Sequence, residues 1–336
     1  MIGHRTPECL ELIGSIHEKL KVVFRTNGRV LINTASGTGL QEAAVRNCSD
    51  IRVLNCVNGA FSNRWRKVTE SNGKENEVLE VEWGQPIRPQ QVVQRLENSD
   101  IDAITVVHNE TSTGVISPIE EIASAVRSTP RGEEIQILVD SVSAIGGAPL
   151  EFDKWDLDVA LTSSQKALAL PPGLSFCAVS DRALVKANSV RHRGTYFDFI
   201  ELVKYLERNQ TPATPAISLL FALDRQLDHM LAEGMENRTA RHVILRDITI
   251  GWARSKGFTL FAAGGFESPT VTCINNNLNI NVENMNRYLR GRGFIISNGY
   301  GPLKEKTFRI AHMGDTTTGD LTQLLDVIDA YLSKSS

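Results

Sequence analysis

The chain has 336 residues, of which 41% are hydrophobic and 22% are charged, a composition typical of a soluble globular protein. Its 36 basic and 39 acidic residues leave a net charge of -3, so nothing favours a nucleic acid or an anionic membrane as a partner. No apolar run approaches the ~20 residues that a membrane helix needs.

The five cysteines are widely spaced and odd in number, so they predict neither a disulfide framework nor a metal site. His4 and Arg5 place charge where a signal peptide would need its apolar core. Both observations favour a reducing, cytoplasmic location.

Strand-like apolar runs alternate with amphipathic stretches over the first half of the chain. The predicted strands are Arg29–Asn33, Ile51–Val57, Val78–Val81, Ile101–Val107, Ile135–Asp140, Leu157–Thr162 and Leu174–Val179. The helix-like stretches between them include Leu40–Asn47, Arg64–Val68, Pro89–Leu96 and Pro118–Arg127. This alternation predicts a doubly wound α/β sheet.

The last connection, from Ser163 to Gly173, is too short for a crossover helix, because parallel strands need a dozen or more connecting residues. The two strands that it joins are therefore predicted to be antiparallel neighbours. The result is a seven-stranded, mainly parallel sheet with one antiparallel strand.

The pattern changes after the segment Thr211–Pro215. The predicted elements there are helices Ile217–Met235 and Glu236–Lys256, strand Thr270–Ile274, helix Val282–Arg290, strands Phe294–Ser297 and Thr307–Ile310, and helix Thr318–Leu332. They predict a small C-terminal α/β domain. We place the large domain at residues 1–233 and the small one at 234–336, with the boundary inside a helix and no flexible linker.

A glycine-containing turn, Ser36-Gly37-Thr38-Gly39, lies between the first predicted strand and a helix. Backbone N–H groups at such a helix N-terminus form a phosphate site, and glycines allow close approach. The turn lacks the ending of a P-loop and the spacing of a dinucleotide-binding loop, which argues against ATP or NAD. A tight connection without a ligand explains the same residues equally well.

Two further strand ends carry candidate ligand-binding residues, because polar clusters at carboxyl ends of strands mark the ligand side of open α/β sheets. Phe61 follows the second strand, and its ring either stacks on a planar cofactor or belongs to the core. Thr111, in the run His108–Gly114, either bonds a cofactor ring or caps a loop. His108 is interpreted as structural.

A carboxylate and a lysine follow two neighbouring strands. Asp140 and Lys166 suit pyridoxal phosphate (PLP), because a lysine amine forms a Schiff base with its aldehyde and a carboxylate pairs with its protonated ring nitrogen. Without a cofactor, Asp140 needs an arginine or a helix-capping role, and Lys166 is an exposed loop lysine. Arg309, within an apolar run, suits either a substrate carboxylate or a structural salt bridge.

With these residues in this order, the sequence resembles the class V aminotransferases of the type I PLP-dependent transferase fold. The match is to the alanine–glyoxylate/serine–pyruvate aminotransferase group and covers nearly the whole chain. The matching segments are Gly3–Arg5, Ser36–Gly39, Glu42–Ala44, Val57–Phe61, His108–Gly114, Val139–Ser141, Ser164–Lys166, Pro171–Gly173 and Phe308–Ile310.

The resemblance implies catalytic roles for Lys166, as the Schiff-base lysine and proton shuttle, and for Asp140, as the partner of the pyridinium proton. It also implies further contacts with the cofactor. These are Thr38, Gly39 and Leu40 at its phosphate, Phe61 and Thr111 at its ring, and Gln165.

The resemblance further implies a homodimer with shared active sites, in which Gln210 and Thr211 reach the phosphate of the partner subunit's cofactor. Arg309 would bind the substrate α-carboxylate. Family members usually carry a stretch with a Pro-Gly-Pro turn ahead of the Gly-His-Arg segment, and here the chain starts just before that segment. We therefore expect either that the chain is truncated relative to the family or that its substrate pocket is built differently.

The implied function is PLP-dependent transamination of a small L-amino acid, alanine or serine, with glyoxylate or pyruvate. A 2-aminophosphonate aminotransferase would use the same site with another side-chain pocket, and a weakly active PLP-binding scaffold is a further alternative. A cysteine desulfurase is disfavoured, because Gln165 stands where those enzymes have histidine, and Cys273 is predicted to be buried in a strand.

Overall fold

A computed structural model of the protein describes residues 2–335. Its first element, helix α1 (Pro7–Phe24), lies outside the elements predicted above. Ile13, Ile16 and Leu20 recur at helical spacing on its buried face. The helix ends where Arg25 adopts a left-handed conformation with φ 54° and donates its N–H to the preceding turn.

Nine strands in the first part of the chain form one large sheet of seven strands and one hairpin. They are β1 (Arg29–Asn33), β2 (Arg52–Val57), β3 (Glu75–Glu80), β4 (Ala103–Val107), β5 (Asn109–Glu110), β6 (Val115–Ile116), β7 (Gln136–Asp140), β8 (Val159–Ser163) and β9 (Ser175–Val179). The sheet has the order β1-β9-β8-β7-β4-β2-β3, and β5 pairs with β6 in a separate hairpin.

Strand β9 runs antiparallel to both of its neighbours, β1 and β8. The other neighbouring strands of the sheet are parallel. The predicted mixed sheet with one antiparallel strand is confirmed, and loop 164–174, which joins β8 to β9, carries Lys166.

Helices cover both faces of this sheet. They are α2 (Gly37–Cys48), α3 (Ala60–Ser71), α4 (Pro89–Leu96), α5 (Ile119–Arg127), α6 (Asp181–Ser189) and α7 (Phe199–Leu206), of which α6 and α7 were not among the predicted elements. Alternate strand residues enter different cores. Ile137 and Val139 pack in one apolar layer, and Leu138 packs in the other.

The C-terminal part has its own sheet and core. Its elements are α8 (Ile217–Glu233), α9 (Met235–Ser255), β10 (Val271–Asn275), α10 (Val282–Arg290), β11 (Ser297–Asn298), a 3-10 turn (Gly301–Leu303), β12 (Thr307–Ala311) and α11 (Thr318–Ser335). The sheet order is β10-β12-β11, and a separate apolar cluster lies beneath it.

Two of the boundaries that differ from the sequence pattern have an identifiable local cause. Gly234, with φ 83°, separates α8 from α9, so the position predicted to lie inside a helix falls between two helices. Strand β11 begins later than the predicted Phe294–Ser297, because the N–H of Phe294 closes the end of α10 by donating to Leu289 O at 3.1 Å. The division of the domains at residue 233 stays a prediction.

None of the helices within residues 2–335 combines the length and the apolar character that crossing a bilayer requires.

Candidate active site

A cavity of about 290 Å³ opens where β4, β7 and β8 end and where α2 and α3 begin. Carboxyl ends of parallel strands and helix N-termini meet at this edge of a doubly wound sheet, which makes it the usual ligand side. The cavity is lined by Ser36, Gly37, Thr38, Gln41, Phe61, Arg64, Val107, Asn109, Thr111, Asp140, Val142, Ser143, Ser163, Gln165 and Lys166.

Asp140 is a buried carboxylate held by two neutral donors. Gln41 Nε2 donates to its Oδ2 at 2.6 Å, and the N–H of Val142 donates to its Oδ1 at 2.9 Å. Burial nevertheless raises the pKa of Asp140 to about 6. The two hydrogen bonds therefore offset only part of the cost of burying the ionised Asp140 carboxylate.

Lys166 lies half-buried at the same cavity, with its Nζ 5.9 Å from the centroid of the Phe61 ring. Burial lowers the pKa of Lys166, and the positive charge of Arg309 adds to the effect, while Asp140 opposes it. The neutral amine, which is the nucleophilic and basic form, is thereby favoured.

The glycine turn forms the N-terminus of α2. Thr38 lines the cavity at this positive end of the helix dipole. A Cβ on Gly37 would lie 2.6 Å from Val142 Cγ2, and one on Gly39 would lie 2.8 Å from the Phe197 ring. Gly39 serves this close packing and Leu40 is buried in the core, and neither is a lining residue.

Phe61 is positioned by a carboxylate at the start of α3. Glu110 accepts hydrogen bonds from the N–H groups of Phe61 and Ser62 at 3.1 and 2.9 Å. This arrangement satisfies donors that a helix N-terminus leaves free. It fixes the ring at the cavity wall.

Arg309, from β12, approaches the cavity from the C-terminal sheet. Its Nη1 donates to Thr111 O at 3.0 Å, and its Nη2 donates to Asn298 O at 3.1 Å. The hydroxyl of Thr111 is paired with that of Ser143 at 2.6 Å. Arg309 is half-buried, and burial lowers its pKa.

The structure brings Thr38, Phe61, Thr111, Asp140, Gln165 and Lys166 together at the cavity, with Gln165 exposed at its edge. Gln210 and Thr211 lie elsewhere. Gln210 Oε1 accepts from Arg5 Nη1 at 3.1 Å, and Thr211 lines a separate cavity of about 150 Å³.

Several lining residues were missed by the sequence reasoning. Gln41 and Arg64 each follow a predicted site residue by three positions in a helix, so a spacing signal was present. Ser143 and Ser163 lie beside predicted strand ends. Tyr300, whose ring centroid is 5.4 Å from that of Phe61, reaches the site only through the tertiary fold.

Two residues have structural roles. His108 is buried, lies 5.9 Å from the Trp155 ring, and has a pKa lowered to about 4 by burial. Cys273 is buried in β10, and burial raises the pKa of its thiol to about 11. Such a thiol is a poor nucleophile, which argues against a desulfurase.

Residues 9–307 match the family Aminotransferase class-V. The chain belongs to this family. Relatives and solved structures agree that it is an enzyme that transfers amino groups. The family implies a PLP cofactor.

Curated relatives and solved structures match nearly the whole chain. An uncharacterized aminotransferase of Methanocaldococcus jannaschii is 38% identical over 94% of this chain and 82% of its own. The serine–glyoxylate aminotransferase of Methylorubrum extorquens is 33% identical over 93% of this chain and 80% of its own. The structure of an alanine–glyoxylate aminotransferase from Nostoc sp. has a TM-score of 0.92 at 27% identity, covering 98% of this chain and 89% of its own.

The cavity fits PLP on its own chemistry. Within residues 2–335, three buried polar atoms of lining residues have no hydrogen-bond partner, namely Gln41 Oε1, Asn109 Oδ1 and Ser163 Oγ. Asp140 has a raised pKa that a cationic group would reverse. A protonated ring nitrogen would offset the charge of Asp140, and an anionic tail would accept hydrogen bonds from the N–H groups at the start of α2.

Proposed function

We propose that the protein is a PLP-dependent aminotransferase that transfers the amino group of a small L-amino acid, alanine or serine, to glyoxylate or pyruvate. The observation that carries this proposal is the convergence of Lys166 and Asp140 on one cavity, beside the N-terminus of α2. The serine–glyoxylate and alanine–glyoxylate names of two similar proteins support this choice of substrates.

Five groups of this chain would hold the cofactor. The Asp140 carboxylate would pair with the protonated ring nitrogen, because such a cation offsets the cost of burying it. The N–H groups of α2 and the Thr38 hydroxyl would bind the phosphate. Phe61 would cover the ring, and Lys166 would bond covalently to the aldehyde carbon.

Lys166 would move the proton. Bound PLP would supply an electron sink for the electron pair left when a substrate loses its Cα proton. Once the incoming substrate amine has displaced it from the aldehyde carbon, Lys166 Nζ would take that proton and deliver one back, and it suits both tasks because its lowered pKa brings its two protonation states closer in energy.

Arg309 would orient the substrate. Its guanidinium is fixed by the carbonyl groups of Thr111 and Asn298, so little side-chain entropy would be lost when it binds an α-carboxylate. Such positioning holds the Cα–H bond near Lys166 and raises the effective concentration of the base.

The central experiment compares Lys166→Ala with Lys154→Ala, a matched change at an exposed lysine. Each protein is loaded with PLP, reduced with borohydride and digested. We expect mass spectrometry to find the cofactor on the peptide with Lys166 in the wild type and in K154A. We expect K166A to retain neither this adduct nor turnover, and full turnover by K166A would overturn the proposal.

A substrate panel tests the choice of donor. Alanine, serine and 2-aminoethylphosphonate are each paired with glyoxylate and pyruvate, and the cofactor absorbance is followed after each donor is added. We expect alanine or serine to discharge the absorbance and the phosphonate to leave it unchanged. The opposite result would favour the aminophosphonate alternative.

The proposed homodimer rests on the resemblance of Gln210 and Thr211 to a family segment that reaches the partner's cofactor, and both residues lie away from the Lys166 cavity of their own chain. Mixed dimers test it. K166A and Gln210→Ala/Thr211→Ala chains are each expected to have low activity, and mixing them should restore about a quarter of wild-type turnover by statistical pairing. A monomer in sedimentation experiments would exclude this arrangement.

A further inference from the structure

A second arginine lies at the cavity and has no role in the proposed reaction. Arg64, in the second turn of α3, is half-buried and lines the cavity together with Phe61. Its guanidinium carbon is 4.9 Å from the centroid of the Phe61 ring. Its Nη2 donates to the hydroxyl of Tyr300 at 3.0 Å.

Tyr300 brings the two arginines to the same side of the site. The guanidinium carbon of Arg309 lies 5.8 Å from the Tyr300 ring centroid, while Arg64 bonds the hydroxyl of the same residue. The positive charges of both arginines lower the pKa of Lys166, in addition to the effect of its burial. Two guanidinium groups thus lie on one side of the site, Arg64 in the cavity lining and Arg309 beside it.

The negative charge of Glu110 acts on Arg309 without direct contact, and no carboxylate of residues 2–335 pairs directly with either arginine. Glu110 is engaged by the start of α3, and Asp140 is engaged by Gln41. Holding two guanidinium groups together without an anion is unfavourable, so the arrangement favours an anionic ligand with more than one charged group.

The geometry points to Arg64, assisted by the Tyr300 hydroxyl, as a subsite for a second anionic group on a substrate, namely the distal carboxylate of a dicarboxylic amino or oxo acid. Arg309 would hold the α-carboxylate, and the fork of Arg64 would receive the distal one. This subsite extends the proposed transaminase reaction to a further substrate class and rests on that reaction.

The test measures binding, so it does not depend on turnover. Succinate and butyrate, which have equal chain length and differ by one carboxylate, are titrated into the PLP-loaded protein by calorimetry. We expect the wild type to bind succinate on the order of 30-fold more tightly than butyrate, since one charge-assisted bidentate contact separates them.

Arg64→Gln should reduce this preference to less than about threefold and leave the affinity for butyrate and for PLP unchanged. Tyr300→Phe should weaken succinate binding by a smaller factor, which keeps the test decisive if R64Q folds poorly. Arg66→Gln is the matched control, because Arg66 lies on the same helix and pairs with Glu70 and Asn63. It should bind both acids as the wild type does.

Three outcomes would overturn the subsite. They are equal binding of the two acids by the wild type, loss of both acids together in R64Q, and loss of PLP from R64Q, which would place Arg64 at the cofactor. A wild type that prefers succinate but turns over no amino acid would contradict the proposed reaction and leave the subsite standing. The two failures are therefore distinguishable.

Discussion

Gln41 donates a hydrogen bond from Nε2 to Oδ2 of Asp140 at 2.6 Å, while its own Oε1 has no partner within residues 2–335. The carboxylate is thus held in place by neutral donors and lacks a full cationic partner. Burial raises its pKa to about 6. The arrangement is unfavourable for the cofactor-free protein and suited to an incoming cation.

The first prediction concerns Asp140→Asn in protein prepared without PLP. A carboxyl group with a raised pKa contributes stability that is present below its unfolded value of 3.8 and is lost as pH rises through about 6. The amide introduced by this substitution carries no charge, and a flipped Gln41 amide would accept its N–H. We therefore expect the variant to be about 2–3 kcal/mol more stable than the wild type at high pH.

Urea unfolding near pH 8 and pH 5 measures this difference. The gap between the two proteins should be largest near pH 8 and smaller near pH 5. With PLP present the order should reverse, because only the carboxylate stabilises a protonated ring nitrogen. Equal urea midpoints of the wild type and D140N at both pH values without PLP would show that burial does not destabilise the ionised Asp140 carboxylate.

The second prediction concerns the charge of Arg309. Burial and this guanidinium lower the pKa of Lys166, so Arg309→Gln should raise that pKa. Uptake of PLP by the cofactor-free protein requires the neutral amine. The pH profile of the uptake rate should therefore move to higher pH in R309Q, with slower uptake at neutral pH.

Stopped-flow absorbance after mixing with PLP gives this profile. Arg66→Gln, a charge removal on the outer part of α3, should leave it in place. If R309Q and R66Q shift the profile equally, the effect would come from the net charge of the protein and not from Arg309.

The sheet could be predicted in detail because its strands are short apolar runs bounded by turns. The antiparallel pairing of β8 and β9 followed from the length of loop 164–174 alone. The spacing of Ile13, Ile16 and Leu20 would have predicted helix α1. The helix was not predicted because it precedes the first strand and lies outside the alternating pattern. Strand β11 was misplaced because the closing bonds of α10 extend to Phe294.

The site was predictable where it is local. Asp140 and Lys166 stand at strand ends, so the order of the strands in the sheet brings them to one cavity. Gln41 follows Thr38 by three residues in α2, so helical periodicity places both side chains on the same face. Tyr300 differs, since it lies in an irregular segment whose contact with Arg64 depends on how the C-terminal part packs. No periodic pattern encodes such a contact.

The third prediction concerns Arg238, which is buried and ties α9 to the Lys166 loop. It donates to Gly146 O at 3.0 Å and Ala167 O at 2.9 Å, and it pairs with Glu233 and Asp315 at 2.7 and 2.8 Å. Arg238→Met removes these donors and leaves buried acceptors unpaired. We expect a loss of about 3–5 kcal/mol in unfolding free energy.

Urea unfolding measures the loss, and Arg254→Met, at an exposed position of the same helix, should change the midpoint little. Arg238→Lys should recover only part of the stability, because an ammonium cannot reproduce the planar fork. A stability of R238M equal to that of R254M would show that these contacts do not hold the loop.

The last prediction uses two glycines with opposite surroundings. A Cβ on Gly59 would lie 2.4 Å from Glu110 Cγ and 2.7 Å from Ser112 Oγ, so Gly59→Ala should displace the carboxylate that binds the start of α3. Gly251 lies inside α9 with no atom within 4 Å of its added Cβ. Gly251→Ala should therefore stabilise the protein by about 0.5–1 kcal/mol.

Thermal unfolding should place G59A below the wild type and G251A above it. Displacement of Glu110 would also release Phe61 from the cavity wall, so G59A should bind PLP more weakly, while G251A should bind it as the wild type does. Because the two stability changes are expected to have opposite signs, the comparison separates steric crowding at Gly59 from a general effect of adding a methyl group. A G59A protein with wild-type stability and PLP affinity would show that Glu110 can move without loss, and would remove the reason for glycine at this position.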